Sequence, residues 1–300
     1  MSDVMNQKVV VVGAGLMGSG IAHAFAVAGA HVVIVDISNS ALEKAMKSIE
    51  TIIAEGISRS KLTAEVGKKV LSNITVNSEL EAMLRGDQFH LLVETASEIM
   101  TVKKVIVSLA DQLLPPDAII ATNTSALSVT EIGAATGRPD RVVGMHFFNP
   151  VHKMKLVELV RGLDTSKATI EAMRRWCDAL GKTHIVVNEA PGLTTSRMSA
   201  LLGNEAMYML LEGTASAEDI DTALRVGFNH PMGPLELGDL TGWDTRLAVL
   251  QYLHSTLGEK FRPCPLIIKM VKSGRTGRKA GRGVYEYANG VRVPGSGLRS

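Results

Sequence analysis

The chain has 300 residues, 46% of them apolar, and a net charge of +2. That length and apolar content suit two globular domains of about 100–200 residues each, and the near-balanced charge excludes a protein drawn to nucleic acid by its overall field. Cys177 and Cys264 lie far apart and outside any Cys-x-x-Cys or Cys/His cluster, which argues against zinc and against a disulfide framework, and fits a reducing cytoplasm; no metal site is expected.

Met1 to Gln7 is short and polar, without the basic-then-apolar pattern of a signal, and no later apolar run approaches the roughly 18 residues of a membrane span. A soluble, unprocessed chain is expected. Lys8 to Val12 predicts a first strand, running into Gly13-Ala14-Gly15-Leu16-Met17-Gly18 and a helix over Ile21 to Ala28. In a Gly-x-Gly-x-x-Gly turn of this context Gly13 permits the tight bend and Gly15 leaves room for a pyrophosphate. Gly18 lets the helix pack on the strand. His31 to Val35 is the second strand, and Asp36 ends it, where a carboxylate can accept both ribose hydroxyls and repel the extra phosphate of NADP. NAD is therefore the expected dinucleotide. The Ser40-Ala41-Leu42-Glu43 and Ser128-Val129-Thr130-Glu131 segments read as capping boxes at helix starts.

Further apolar runs at Phe89 to Glu94, Ala118 to Thr122, Val142 to His146, Lys155 to Val160 and His184 to Val187 alternate with helical segments. This is the pattern of a parallel sheet wrapped by crossover helices. The expected architecture is α/β, a Rossmann-type doubly wound sheet over residues 1–187, followed by an all-α domain over 188–300. In the second part Thr194 to Glu212, Ala217 to Val226 and Arg246 to Thr256 show helical periodicity. The first of these is apolar almost all round. It reads equally as a helix buried within its own domain or as one burying a face against a second subunit. Lys272 to Arg282, basic and glycine-rich, reads as a mobile surface loop.

Ligands of open α/β sheets bind beyond the carboxyl ends of the strands. Here polar residues appear where apolar runs stop: Asp36, Glu94 and Glu98, Asn123 and Ser125, His146 and Asn149. Asn123, Thr124 and Thr95 read first as loop or cap residues. Glu158 lies inside the apolar run Lys155 to Val160, where a bare carboxylate costs several kcal/mol, roughly, unless paired. His146 is the sensible partner. A carboxylate on one ring nitrogen would set the tautomer and leave the other free to take a substrate proton, as alcohol oxidation by NAD requires.

Gly13 to Gly18, Thr122-Asn123-Thr124-Ser125, Gly144-Met145-His146-Phe147-Phe148-Asn149-Pro150 and Met154-Lys155-Leu156-Val157-Glu158 together resemble the L-3-hydroxyacyl-CoA dehydrogenases, in the short, single-function bacterial form. Pro191-Gly192, Glu218-Asp219-Ile220-Asp221, Pro231-Met232-Gly233-Pro234 and Gly281-Arg282-Gly283-Val284-Tyr285 extend the resemblance through the second domain. It implies NAD-dependent oxidation of a short 3-hydroxyacyl-CoA with His146 as general base, Glu158 as its orienting partner, and Ser125 and Asn149 at the reacting end of the substrate. It also implies that Glu98 and Lys103 lie near the cofactor, the bland alternative being a solvated first helical turn, and that the protein is a homodimer through the helical domain. Ser196 departs from the pattern, standing where the family commonly has an asparagine facing the substrate. His152-Lys153 is also unusual, and Lys153 reads either as a group for an anionic substrate end or as a solvent-facing lysine. Arg59 and Lys61, with Lys68 and Lys69, are candidates for the phosphates of coenzyme A; His23, inside the first helix, receives no role. Two other readings stay open: a dehydrogenase of a free hydroxy acid such as carnitine or a sugar acid, and a non-catalytic NAD-binding protein.

Overall fold

The computed structural model describes residue 4 and residues 6–298, so the polar stretch Met1 to Gln7 lies partly outside the described residues. The chain divides into two compact units, Met1–Glu189 and Ala190–Ser300.

The first unit begins β1 (Lys8–Val12), α1 (Leu16–Val27), β2 (His31–Val35), α2 (Asn39–Ser58), α3 (Ala64–Ser72), β3 (Ile74–Asn77), α4 (Leu80–Gly86) and β4 (Leu91–Glu94). It continues with α5 (Met100–Leu113), β5 (Ile119–Thr122), α6 (Val129–Gly133), β6 (Val142–Phe147), β7 (Leu156–Arg161), α7 (Lys167–Ala179) and β8 (Thr183–Asn188). The eight strands form one sheet in the order β3-β2-β1-β4-β5-β6-β7-β8. The strand order reverses between β1 and β4, which opens a crevice beyond their carboxyl ends, the usual place for a ligand in such a sheet.

Two features differ from the expected elements. An edge strand, β3, was not foreseen, because Thr75 and Val76 are exposed and the segment lacks the apolar character of a buried strand. The sheet is also not parallel throughout: β6 and β7 run antiparallel. The stretch 148–155 between them is too short for a crossover, which takes a dozen or so residues, so the chain must turn back directly.

Local signals decide the helix ends. Ser128 caps α6 by accepting from Glu131 N, as its capping box predicts. At α2 the cap is Ser38, which accepts from Ala41 N, and Ser40 is displaced into the first turn. The cause is Asp36, which accepts from Ser38 N at 2.9 Å and holds that residue extended, ready to cap. Gly181, at φ +64°, stops α7 as a left-handed glycine should.

The second unit contains α8 (Thr195–Leu211), α9 (Ala217–Gly227), α10 (Pro234–Thr241), α11 (Trp243–Leu257), α12 (Pro265–Lys272) and a small hairpin of β9 (Tyr287–Ala288) and β10 (Val291–Arg292). Trp243, Tyr285, Phe261 and Met207 lead its separate core. The basic segment after α12 is not a loose loop. Arg275 pairs with Glu286 and Lys279 with Asp244, and Gly277, at φ +114°, passes so close to Asp239 that a Cβ would fall 2.3 Å from its carbonyl oxygen. Asp239 is wholly buried and accepts from Val284 N, Tyr285 N, Trp243 Nε1 and the Tyr287 hydroxyl. The segment around Gly281 to Tyr285 is thus glycine-rich because it wraps a buried carboxylate.

Candidate active site

The turn after β1 has the geometry its glycines predict. Gly13 adopts φ +106°, and a Cβ on it would press against the backbone of Thr95. Thr95 holds the turn from the neighbouring strand, its hydroxyl donating to the carbonyls of Val12 and Gly13. A Cβ on Gly18 would fall 1.8 Å from the Gly13 carbonyl oxygen, so close packing of helix on strand excludes any side chain there. Gly15 is different: it is the N-cap of α1, with no side-chain cap, and a Cβ on it would meet nothing within 4 Å. The N-terminus of α1 thus has no side-chain cap, and nothing fills the space a side chain of Gly15 would take, beside exposed Leu16 and half-buried Met17. Asp36 accepts from Ala14 N at 2.8 Å, which ties it to the same turn. Each carboxylate oxygen accepts one backbone bond and retains a further lone pair for a ribose hydroxyl.

Beyond β4 and β5 lies a charged network. Glu94 is fully buried at the end of β4 and accepts from Lys103 Nζ at 2.8 Å, from the Thr122 hydroxyl at 2.6 Å and from Ala96 N at 2.6 Å. Lys103 is itself fully buried, which excludes a solvated helical turn, and its Nζ also lies 3.4 Å from Glu98. Glu98 stays partly exposed and accepts from Ser125 N and the Thr124 hydroxyl. With no exposed surface, the Lys103 ammonium is spent on the two carboxylates. Thr124 and Thr95 act as the loop and turn residues their positions predicted, and Asn123 accepts from Phe147 N at 3.0 Å, pinning the end of β6.

His146 sits next to the last residue of β6, directly opposite Glu158 in the antiparallel register with β7. Its Nδ1 lies 2.8 Å from Glu158 Oε2, and the Glu158 side chain has no exposed surface. A carboxylate is an acceptor only, so Nδ1 carries the hydrogen and Nε2 is the nitrogen left to face a ligand. The Phe148 ring packs against the imidazole with centroids 4.7 Å apart. Ser125 after β5 and Asn149 after β6 are both exposed at the carboxyl ends of adjacent parallel strands. The sheet thus brings Gly15, Asp36, Glu98, Ser125, His146 and Asn149 to one edge. Ser196 belongs to the other unit, half-buried in the first turn of α8.

The models of two family domains match in tandem: "3-hydroxyacyl-CoA dehydrogenase, NAD binding domain" over residues 8–190 and "3-hydroxyacyl-CoA dehydrogenase, C-terminal domain" over 192–287. The chain belongs to the 3-hydroxyacyl-CoA dehydrogenase family. It is 43% identical to a probable 3-hydroxybutyryl-CoA dehydrogenase of Bacillus subtilis over 94% of this chain and 97% of that protein. It is 44% identical to the 3-hydroxybutyryl-CoA dehydrogenase of Bradyrhizobium diazoefficiens, covering 96% and 98%. Among solved structures, an (S)-3-hydroxybutyryl-CoA dehydrogenase from Ralstonia eutropha superposes with a TM-score of 0.89 at 42% identity, covering 95% of this chain and all of that one. The protein is accordingly an NAD-dependent 3-hydroxyacyl-CoA dehydrogenase, and its glycine turn, uncapped α1 amides and Asp36 fit that dinucleotide.

Other residues are brought together that the sequence kept apart. Arg59 and Lys61, at the end of α2, line a cavity of about 230 Å³ together with His23, His152, Lys153 and Lys182. Lys68 and Lys69 stay on α3, away from its lining. Of the unforeseen members only His152 and Lys153 carried a signal, as unusual neighbours of the histidine loop. His23 looked like a helix-packing residue, and nothing marked Lys182.

Proposed function

We propose that the dehydrogenase interconverts L-3-hydroxyacyl-CoA and 3-oxoacyl-CoA of short chain, 3-hydroxybutyryl-CoA foremost, with His146 as general base. The observation that carries the mechanism is the buried 2.8 Å contact between His146 Nδ1 and Glu158. Held in that tautomer, Nε2 takes the proton of the substrate hydroxyl as the carbon–oxygen bond becomes a carbonyl, and Glu158 stabilises the imidazolium that results. Bound NAD supplies the acceptor for the hydride leaving the same carbon. In reduction the imidazolium returns the proton. Ser125 and Asn149 orient the 3-oxygen toward Nε2; Ser196, where the resemblance has a substrate-facing asparagine, is shorter and offers one donor hydrogen instead of two. Glu98, steadied by Lys103, lies against the nicotinamide half of the cofactor. Gly13 to Gly18 and Asp36 hold the adenosine half.

The name shared by the Bacillus, Bradyrhizobium and Ralstonia relatives supports the short acyl chain. Arg59 and Lys61 supply cations for the phosphates of coenzyme A. Met198, Leu201 and Leu211 on α8 remain exposed while Ala200, Gly203, Met207 and Leu210 are buried, and these exposed apolar residues support a homodimer through the helical domain. The two buried free thiols, Cys177 and Cys264, agree with a reducing cytoplasm.

Steady-state reduction assays decide the substrate: NADH should be consumed far faster with acetoacetyl-CoA than with free acetoacetate or dehydrocarnitine. Equal rates would exclude the CoA thioester. His146→Gln should lower kcat/KM by about 10²–10⁴-fold with NADH affinity retained.

A further inference from the structure

The loop that leads from β5 to α6 carries Ser125, which is exposed together with Ala126. One end of the loop is held by Glu98, which accepts from the Thr124 hydroxyl and from Ser125 N. Thr124 Oγ1 in turn accepts from Ala126 N and Leu127 N, which curls the backbone around it. The other end is held from a segment distant in sequence. Glu189, the residue after β8, is half-buried, and its amide donates to the Arg161 carbonyl at 2.9 Å. Its carboxylate accepts from the Ser128 hydroxyl at 2.6 Å, from Thr130 N at 2.6 Å and from the Thr130 hydroxyl at 2.8 Å.

These contacts fix orientation as well as distance. A carboxylate only accepts, so both hydroxyls turn their hydrogens toward Glu189 and keep their lone pairs for backbone amides. Ser128 Oγ accordingly accepts from Glu131 N at 3.0 Å, which caps α6, and Thr130 Oγ1 accepts from Leu163 N at 2.9 Å. Ser128 alone suffices as a cap. What Glu189 adds is a tie between the start of α6 and the end of β8. α6 has only 5 residues, and a helix so short takes its place from such ties rather than from its own stability. One side chain therefore sets where the Ser125 loop ends.

We propose that Glu189 is a positioning residue of the dehydrogenase, holding the loop from its carboxyl end so that the Ser125 hydroxyl stays in register with the 3-oxygen of the substrate. The inference rests on the role proposed above for Ser125 and adds the group that keeps that serine in place. Glu189 acts through the backbone alone. A catalytic or orienting group displaced by about 1 Å costs as much as roughly 10²-fold in rate.

A double-mutant cycle with Ser125→Ala tests the connection. Glu189→Ala should lower kcat for acetoacetyl-CoA reduction by about 10- to 100-fold and leave the KM for NADH unchanged. In the Ser125→Ala background the same change should cost at most about 2-fold, because the hydroxyl it places is gone. Glu189→Gln keeps an acceptor for Thr130 and should recover much of the loss, leaving about 3- to 10-fold; it carries the cycle if Glu189→Ala does not fold. Hydrogen exchange at the amides of Ser125 to Leu127 should quicken about 10-fold in Glu189→Ala. Equal losses in the two backgrounds, or full activity in folded Glu189→Ala, overturn the inference and leave the role of Ser125 intact. Full activity in Ser125→Ala overturns the role of the serine; quickened exchange then still supports the hold of Glu189 on the loop, and unchanged exchange overturns both.

Discussion

Gly15 and Gly18 occupy the same turn, yet their surroundings predict opposite failures. Gly15 has φ −71° and ψ −172°, a conformation open to any residue, and a Cβ there meets nothing within 4 Å. Gly15→Ala should therefore fold as well as the parent, or gain about 0.4–1 kcal/mol from a less flexible unfolded chain. The new methyl stands in the space before the α1 amides, where the pyrophosphate must approach. Losing one charge-assisted hydrogen bond costs about 1.5–3 kcal/mol, so NADH should bind roughly 10- to 150-fold more weakly. Gly18→Ala puts its Cβ 1.8 Å from the Gly13 carbonyl oxygen and 2.7 Å from Thr95 Oγ1. Backbone must move, at a cost of about 1–3 kcal/mol or more, and thermal stability should fall before any question of binding arises. NADH fluorescence titration and thermal unfolding of both variants separate the two effects. Unchanged NADH affinity in Gly15→Ala would refute the placement of the pyrophosphate, and unchanged stability in Gly18→Ala would refute the packing argument.

Glu158→Gln keeps the size of the side chain and removes the charge beside His146 Nδ1; kcat/KM should drop by about 10- to 100-fold, measured with acetoacetyl-CoA and NADH, and an unchanged value would leave Glu158 without a part in proton transfer. Asp36→Ser should narrow the preference for NADH over NADPH, and it should also weaken NADH binding because Asp36 ties Ala14 N and Ser38 N; an unaltered ratio of the two cofactors would remove it from the ribose. His23 has a folded pKa of about 4 against an ordinary 6.5, so the unfolded chain binds the extra proton between those values. Stability is fully present above about pH 6.5 and is lost as pH falls toward about 4, by roughly 3 kcal/mol from this group. Denaturant unfolding of His23→Gln should show a flatter acid limb, and parallel limbs would mean that His23 is not buried neutral.

Much of the candidate site was legible because its residues interrupt patterns. Asp36, Ser125 and Asn149 stand where apolar strands end, and Glu158 is a carboxylate inside an apolar strand, which demands a partner. The partner was named correctly, but not the means. The alternating runs predict one parallel sheet, whereas the reversal at 148–155 makes β6 and β7 antiparallel and sets His146 and Glu158 face to face. The capping serine of α2 was misplaced by two positions, since both serines offer a hydroxyl and only the hold of Asp36 on Ser38 N distinguishes them. Lys103, which the sequence allows either near the cofactor or on a solvated first turn, is fully buried with its ammonium held by Glu94 at the end of β4.

The amino-acid sequence by itself determined the dinucleotide turn, the α/β order, the family and the pairing of a histidine with a carboxylate, because each is written in local periodicity or in residue types at short spacing. Tertiary structure alone decided which ring nitrogen of His146 meets Glu158 and which carboxylate holds Lys103. It also decided that His23, His152 and Lys182 share one cavity with Arg59 and Lys61. Those facts depend on side chains distant in sequence meeting at a few ångströms, where burial and neighbouring charge set their chemistry, and no local pattern encodes such a meeting.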